Sequence, residues 1–139
     1  MAPSTVTGRR RGRWHAGFTL IEVMVVMALI VTLASIGLAV YANSVTRAKE
    51  SVLKEDLFRM RDAIDQFYAD KNKYPSSLQD LVSEKYLRAI PVDPFTNSAD
   101  TWQTVLAEPD PSNVEPGIYD VRSGSDQQAL DGTKYSEWN

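Results

Sequence analysis

An unbroken apolar stretch dominates the first third of the chain. Phe18 to Ala42 holds a single charged residue, Glu22, and no charge occurs from Val23 to Thr46. Such a stretch is apolar on every side of a helix, as in a membrane span or in the core of an assembly. At about 1.5 Å of rise per residue, it can cross roughly 30 Å of hydrocarbon. The pattern therefore predicts a membrane-spanning helix that begins at Phe18.

The helical pattern continues beyond this stretch but becomes amphipathic. Apolar residues at steps of four, three, four and three share one face: Leu53, Leu57, Met60, Ile64 and Phe67. The opposite face carries charges: Lys54, Glu55, Arg59, Arg61, Asp62 and Asp65. A coiled coil would show the same stripe, but the strand-like sequence downstream favours packing on a sheet. The helix is predicted to end near Asn72, since Pro75 disfavours helical geometry at Tyr74.

Short elements separated by turns are predicted after the long helix. Ser76-Ser77-Leu78-Gln79 has a capping-box pattern and opens a short helix with four candidate core residues: Leu78, Leu81, Val82 and Leu87. Trp102 to Leu106 and Gly117 to Val121 are predicted strands, and Tyr135 to Trp138 is a candidate third strand. Tight turns between strands favour antiparallel pairing. The predicted fold class is α+β, with the long N-terminal helix packed on a small C-terminal antiparallel sheet.

Charge is distributed unevenly along the chain. A basic cluster precedes the apolar stretch, with no acid before Glu22: Arg9, Arg10, Arg11 and Arg13. Such a cluster can bind nucleic acid, but its place before an apolar helix fits the rule that basic flanks stay cytoplasmic. The 15 basic residues less these four leave 11 against 18 acidic ones beyond Gly17, about −7. The acidic part then lies across the membrane, and no nucleic-acid partner is expected.

The chain offers few residues for catalysis. It has no cysteine, which excludes disulfides and thiolate chemistry, and its one histidine is His15. If the segment before Phe18 is removed, the remaining chain lacks both residue types. Triads that need histidine and the usual zinc sites are then excluded. Nothing marks a site that uses carboxylates alone, so the chain is predicted not to be an enzyme.

The segment Gly17-Phe18-Thr19-Leu20-Ile21-Glu22 joins the basic cluster to the apolar stretch. An ordinary secretory signal also starts basic and continues apolar, but its core is about 7–15 residues long and carries no carboxylate. Two alternatives stay open on these features alone. A conventional peptidase could cut after Val40-Tyr41-Ala42, which is a small-residue pattern, or the segment could be an uncleaved single-span anchor.

This segment closely resembles the leader junction of type IV pilins and of the pseudopilins of type II secretion. The resemblance implies that a membrane peptidase cuts between Gly17 and Phe18 and methylates the new amino terminus of Phe18. It also implies that Glu22 pairs with that amine in a neighbouring subunit during assembly. Glu22 could instead snorkel at the membrane edge or interact with the helix dipole. The implied domains are a cleaved leader (residues 1–17), a transmembrane and filament-core helix (18–46) and a periplasmic globular domain (47–139).

The globular part is similar to the major, G-type pseudopilin in several segments: Lys73-Tyr74-Pro75, Tyr86-Leu87, Ile90-Pro91, Asp93-Pro94-Phe95, the run from Tyr119 to Asp126, and Trp138. The resemblance implies the pilin fold and a subunit of a helical pseudopilus that drives protein export across the outer membrane. The implied partners are further copies, the prepilin peptidase and methyltransferase, the inner-membrane assembly platform and minor pseudopilins. The alternative is a major type IV pilin, which forms a surface pilus for adhesion, motility or DNA uptake. The absence of a C-terminal cysteine pair favours the pseudopilin.

Calcium is a further implication of the G-type resemblance. G-type pseudopilins commonly bind calcium near the carboxyl end, where Asp126, Asp131 and the carbonyl of Ser123 are the candidate ligands. The sequence departs from the family pattern, because Gly132-Thr133-Lys134-Tyr135 stands where two closely spaced acids are usual. The alternative is an Asp-rich turn whose carboxylates bind the backbone. Lys134 could then supply a positive charge in place of the ion.

Overall fold

The computed structural model describes residues 1–4, 8, 17, 19–109, 111 and 116–139. Its longest element is helix α1, Leu20–Lys71, which confirms the predicted long helix. Thr19 begins the helix, because its hydroxyl oxygen accepts a hydrogen bond from the Glu22 amide at 3.3 Å. At the other end, Asn72 adopts a left-handed conformation with φ of 52°, which an α-helix cannot continue.

Helix α1 contributes to two compact units, Met1–Leu38 and Ala39–Asn139. In the first unit, the large apolar side chains from Leu20 to Leu38 are between 46% and 79% exposed. Thr32 and Ser35 satisfy their hydroxyls within the helix by donating to the carbonyls four residues earlier. Of the helices that the structure describes, α1 alone is long and apolar enough to cross a membrane. This surface needs an apolar environment that the unit itself does not supply.

The second unit is built on the buried face of α1. The stripe predicted from the sequence forms most of this face, and Ala63 and Asp56 complete it. Apolar residues of the rest of the unit join the stripe in one core: Leu81, Trp102, Ile118, Val121, Ala129 and Tyr135. The prediction that the stripe packs against the following domain, rather than in a coiled coil, is therefore confirmed.

A two-stranded antiparallel sheet follows the helices. Strand β1 is Gln103–Leu106 and strand β2 is Ile118–Arg122, close to the two predicted strands. A bulge between Val105 and Leu106 shifts the register. Two glycines allow close approach of other chain segments, because a Cβ on Gly117 or Gly124 would collide with Tyr74 or Thr101.

The candidate third strand is wrong. Residues Tyr135–Glu137 form a short 3₁₀ helix instead. The Tyr135 ring stacks on Phe95 with 3.8 Å between ring centroids, and the ring of Trp138 meets its edge. Lys134, just before this turn, forms an isolated bridge with Gln128, and the Tyr135 amide donates to the Gln127 carbonyl at 3.2 Å. The aromatic residues at the carboxyl end therefore pack against one another and against Phe95 instead of extending the sheet.

Helix α2, Leu78–Ser83, confirms the short predicted helix but begins one residue later than the capping pattern implied. The N-cap is Ser77 and its partner is Asp80, whose carboxylate accepts hydrogen bonds from the amides of Ser76 and Ser77. The hydroxyl of Ser76, together with these amides, lowers the pKa of Asp80. Of the four candidate core residues, Leu81 is fully buried and Leu78 and Leu87 pack on the core, whereas Val82 lies outside it.

One charge predicted on the wet face of α1 turns inward. The guanidinium of Arg61 pairs with Asp120 at 2.7 Å and donates to the carbonyls of Val121 and Trp138, both at 2.9 Å. The planar fork of an arginine side chain suits several acceptors at once. Arg61 thereby joins α1, β2 and the C-terminal segment, which we define as residues 123–139.

A second link between α1 and this segment runs through Glu50. Its carboxylate oxygen accepts hydrogen bonds from the Leu130 amide at 2.8 Å and from the Tyr135 hydroxyl at 3.0 Å. Tyr135 is only 1% exposed. Burial and the hydrogen bond to Glu50 raise the pKa of Tyr135 to about 12.

This raised pKa predicts a loss of stability in alkali. The folded state holds the Tyr135 proton more tightly than the unfolded state, so its contribution is fully present below about pH 10 and is lost as the pH rises towards 12. The expected contribution is about 3 kcal/mol. Thermal melting of the chain in mild detergent from pH 8 to 11.5 should show a smaller alkaline fall for Tyr135→Phe than for wild type. Tyr119→Phe, at an exposed tyrosine, should behave like wild type, and equal pH profiles for all three chains would contradict the assignment.

Candidate processing and assembly site

The amino-terminal site centres on the first turn of α1. Gly17 is exposed, and none of the described residues comes within 4 Å of where its Cβ would be. Phe18, the four arginines of the leader and His15 lie outside the described residues. Their predicted roles therefore stay predictions.

Glu22 is a carboxylate at the start of an apolar helix that is long enough to cross a membrane. It lies in the first turn of α1, and its side chain is exposed. The partial positive charge of the helix amino terminus favours a carboxylate there. Within the described ranges, no lysine or arginine comes within ion-pair distance of it. Because a charge in hydrocarbon is costly unless paired, Glu22 is suited to bind a cation from outside its own helix.

The apolar surface of α1 extends this site along the helix. Apart from the helix's own backbone, none of the described residues lies within 4 Å of the space where a Cβ on Gly37 would be, and the helix runs through this residue without a break. Gly37 could serve local melting or close helix packing, and a continuous helix is compatible with packing against a second molecule. The chemistry that this half of α1 offers is association in an apolar medium, with one carboxylate to set the alignment.

Of the candidate calcium ligands, Asp131 is engaged within the protein, Asp126 is exposed, and the Ser123 carbonyl belongs to a residue whose side chain is already hydrogen-bonded. Ser123 is buried, and its hydroxyl donates to Asp93 at 2.5 Å and accepts from the amide of Ser125. Asp131 accepts hydrogen bonds from both the amide and the hydroxyl of Thr133, at 2.9 and 2.6 Å. Asp126 is exposed and receives only a long contact of 3.4 Å from Ser136.

These donors do not fit a calcium cage as they stand. Calcium takes six to eight oxygen ligands, several of them carboxylates. In the part of the chain that the structure describes, no three acidic or histidine side chains come together as a metal site. The hydroxyl and amide of Thr133, with a weaker contribution from Lys54, lower the pKa of Asp131. The charge of Asp131 is thus already stabilised by protein groups.

The sequence did not reveal Glu50, Lys54 and Arg61 as the residues that hold the C-terminal segment. Their partners lie far along the chain, so local spacing carries no signal for them. One signal was available, since Asp131-Gly132-Thr133 is a pattern in which the aspartate accepts bonds from the residue two positions on. This turn is the alternative that the sequence offered to a metal site.

Comparisons with known proteins agree with the amino-terminal features. Residues 15–38 match a family model described as the prokaryotic N-terminal methylation motif. Type II secretion system core protein G of Pseudomonas aeruginosa is 32% identical over 101 residues, which cover 61% of this chain and 71% of that protein. The protein of the same name from Escherichia coli is 29% identical over 123 residues, which cover 77% of this chain and 79% of that protein.

A fimbrial protein is also similar to the chain. Fimbrial protein EcpC of Eikenella corrodens is 30% identical over 107 residues, which cover 73% of this chain and 67% of that protein. No solved structure matches the chain. The similarity to both kinds of protein extends well beyond the amino-terminal motif and into the globular unit.

Proposed function

The chain belongs to the type II secretion system core protein G family, within the type IV pilin and pseudopilin superfamily, and we propose that copies of it assemble into a filament that drives protein export across the outer membrane. It is a pseudopilin subunit. The observation that carries the filament proposal is the exposed apolar half of α1 with Glu22 in its first turn. A single copy cannot cover this surface, whereas lipid and then neighbouring helices can.

The proposed sequence of events begins in the inner membrane. The basic leader stays on the cytoplasmic side, the apolar half of α1 spans the bilayer, and the globular unit lies in the periplasm. The prepilin peptidase removes residues 1–17 and methylates Phe18. An assembly platform and minor pseudopilins then add the subunit to the filament. We propose a structural role for the chain, without catalytic activity and without a nucleic-acid partner.

Glu22 gives the assembly step its alignment in this proposal. Cleavage creates a positive amine on Phe18, four residues from Glu22 in sequence. That amine and the carboxylate of an adjacent copy can neutralise each other as the apolar helices come together. Two opposite charges in a medium of low dielectric attract strongly, and leaving either one unpaired is costly.

A surface type IV pilus is the less favoured alternative. The similarity to EcpC of Eikenella corrodens supports a common fold and amino-terminal signal. The core G proteins from Pseudomonas aeruginosa and Escherichia coli reach higher identity or wider coverage. The proposal therefore predicts a defect in secretion, rather than in surface pili, when the protein is missing.

We expect the mature protein to begin with methylated Phe18. Peptide-bond cleavage after Gly17 and addition of one methyl group give a defined mass for the amino-terminal peptide. Mass spectrometry of protein purified from membranes measures this directly. An intact leader or a chain that starts at Asn43 would contradict the assignment, and the second result would indicate a conventional signal peptidase.

Glu22→Ala should be cleaved and inserted but should assemble poorly. Removing the charge makes the helix easier to embed, while the Phe18 amine loses its partner. The test complements a strain that lacks the gene and measures crosslinked multimers, secreted protein and surface pili. We expect at least about a tenfold fall in multimers, since roughly 1.4 kcal/mol per contact suffices for that factor, together with lost secretion and unchanged surface pili.

The matched control is Asp62→Ala, which removes an exposed carboxylate from the second half of the same helix. It should secrete and crosslink like wild type. Wild-type multimers from Glu22→Ala would mean that the carboxylate acts only at the membrane edge or on the helix dipole. Loss of surface pili with normal secretion in the deletion strain would favour the pilus alternative.

A further inference from the structure

We propose that Glu50 and Lys54 of α1, together with Thr133, take the structural place of a calcium ion and close the C-terminal segment without metal. This inference does not depend on the proposed filament, because it concerns the folding of one chain. It starts from the misfit between the donors present and a calcium cage. A calcium ion would hold the turn, supply positive charge and fasten the segment to the helix. In the described residues, side chains of the protein do each of these.

The first task is to hold the turn around Asp131. One carboxylate oxygen of Asp131 receives the Thr133 amide and the Thr133 hydroxyl. The Thr133 hydroxyl oxygen in turn accepts a hydrogen bond from the indole nitrogen of Trp138 at 2.8 Å. A chain of hydrogen bonds therefore runs from Asp131 through Thr133 to Trp138 and closes the segment on itself.

The second task is to supply positive charge. The ammonium group of Lys54 lies 4.8 Å from the centroid of the Trp138 ring, and Lys54 lines the same groove as Asp131. The lysine therefore faces both the aromatic ring and the acidic turn. Lys134, the cation suggested by the sequence, is exposed and pairs through its backbone with Gln128. The compensating cation thus comes from α1 rather than from the segment itself.

The third task is to fasten the segment to the helix. Glu50 receives the Leu130 amide from one side of the Asp131 turn and the Tyr135 hydroxyl from the other. One carboxylate thus connects both sides of the turn to α1, which is the connection that a bound ion would otherwise provide. Arg61 adds a further hydrogen bond to the carbonyl of Trp138. With Glu50, Lys54 and Arg61 on one helix, the segment is anchored at three points along α1.

The experiment is thermal melting of the mature chain, purified in detergent, in excess EGTA and in calcium chloride. A calcium concentration of about 5 mM exceeds the weakest dissociation constants of calcium sites, which are roughly 1 mM. We expect the same Tm in both. Glu50→Ala should lower Tm by roughly 4–8 °C in both conditions, because it leaves the buried Tyr135 hydroxyl without its acceptor. Glu55→Ala is the matched control on the same helix, since Glu55 pairs with Arg59 in solvent and should barely change Tm.

Asp131→Asn separates the two accounts. An asparagine keeps the oxygen that accepts from Thr133 but removes the charge that calcium would need. Under our proposal any loss of Tm from the missing charge is the same in EGTA and in calcium, and Asp126→Ala melts close to wild type in both. A calcium-dependent rise of several degrees in wild type that disappears in Asp131→Asn and Asp126→Ala would overturn the proposal. So would a Tm for Glu50→Ala equal to that of Glu55→Ala.

Discussion

The structure depends on one unsatisfied surface, the apolar half of α1. Its large side chains are about half exposed or more in the single chain, and its hydroxyls are already satisfied inside the helix. Exposing such a large apolar surface to water is unfavourable in free energy. It must lie in lipid or against other copies, and a carboxylate near its start must be neutralised in either place. The membrane and assembled states proposed for this chain both follow from that single requirement.

The other half of α1 organises the globular unit. Its buried stripe supplies five large side chains to the core, and Glu50 and Arg61 reach sideways to the carboxyl end. The small two-stranded sheet alone would bury little. Stability of the unit therefore depends on the helix at least as much as on the strands. A single element thus carries both the surface for association and the scaffold of the folded domain.

Local periodicity predicted the parts of the fold that local forces decide. The extent of α1 follows from the apolar stretch and from Pro75, and the stripe from Leu53 to Phe67 follows from the 3.6-residue period. Both strands follow from residue type between turns. The sequence pattern placed the N-cap of α2 at Ser76, with Gln79 as its partner. The N-cap is Ser77 instead, because the Asp80 carboxylate accepts the hydrogen bond from the N-cap amide. The third strand was predicted from residue type alone, but a strand also needs a partner strand. The aromatic rings near the carboxyl end pack on one another and on Phe95 instead.

Long-range polar contacts were beyond the reach of sequence patterns. Arg61 looked solvated by its place on the helix, yet its partners are 59 to 77 positions away. Glu50 meets residues 80 and 85 positions away. The family resemblance identified the amino-terminal segment well but suggested a metal site, and one of its two candidate carboxylates, Asp131, is here engaged with Thr133.

The most direct test of the central claim is a cryo-electron-microscopy map of filaments formed by this chain. The account predicts that the apolar side chains from Leu20 to Leu38 are buried among neighbouring copies. It also predicts that each Phe18 amine lies within ion-pair distance of Glu22 in an adjacent copy. Filaments joined only through their globular units, with the apolar half of α1 still exposed or Glu22 facing solvent, would contradict it.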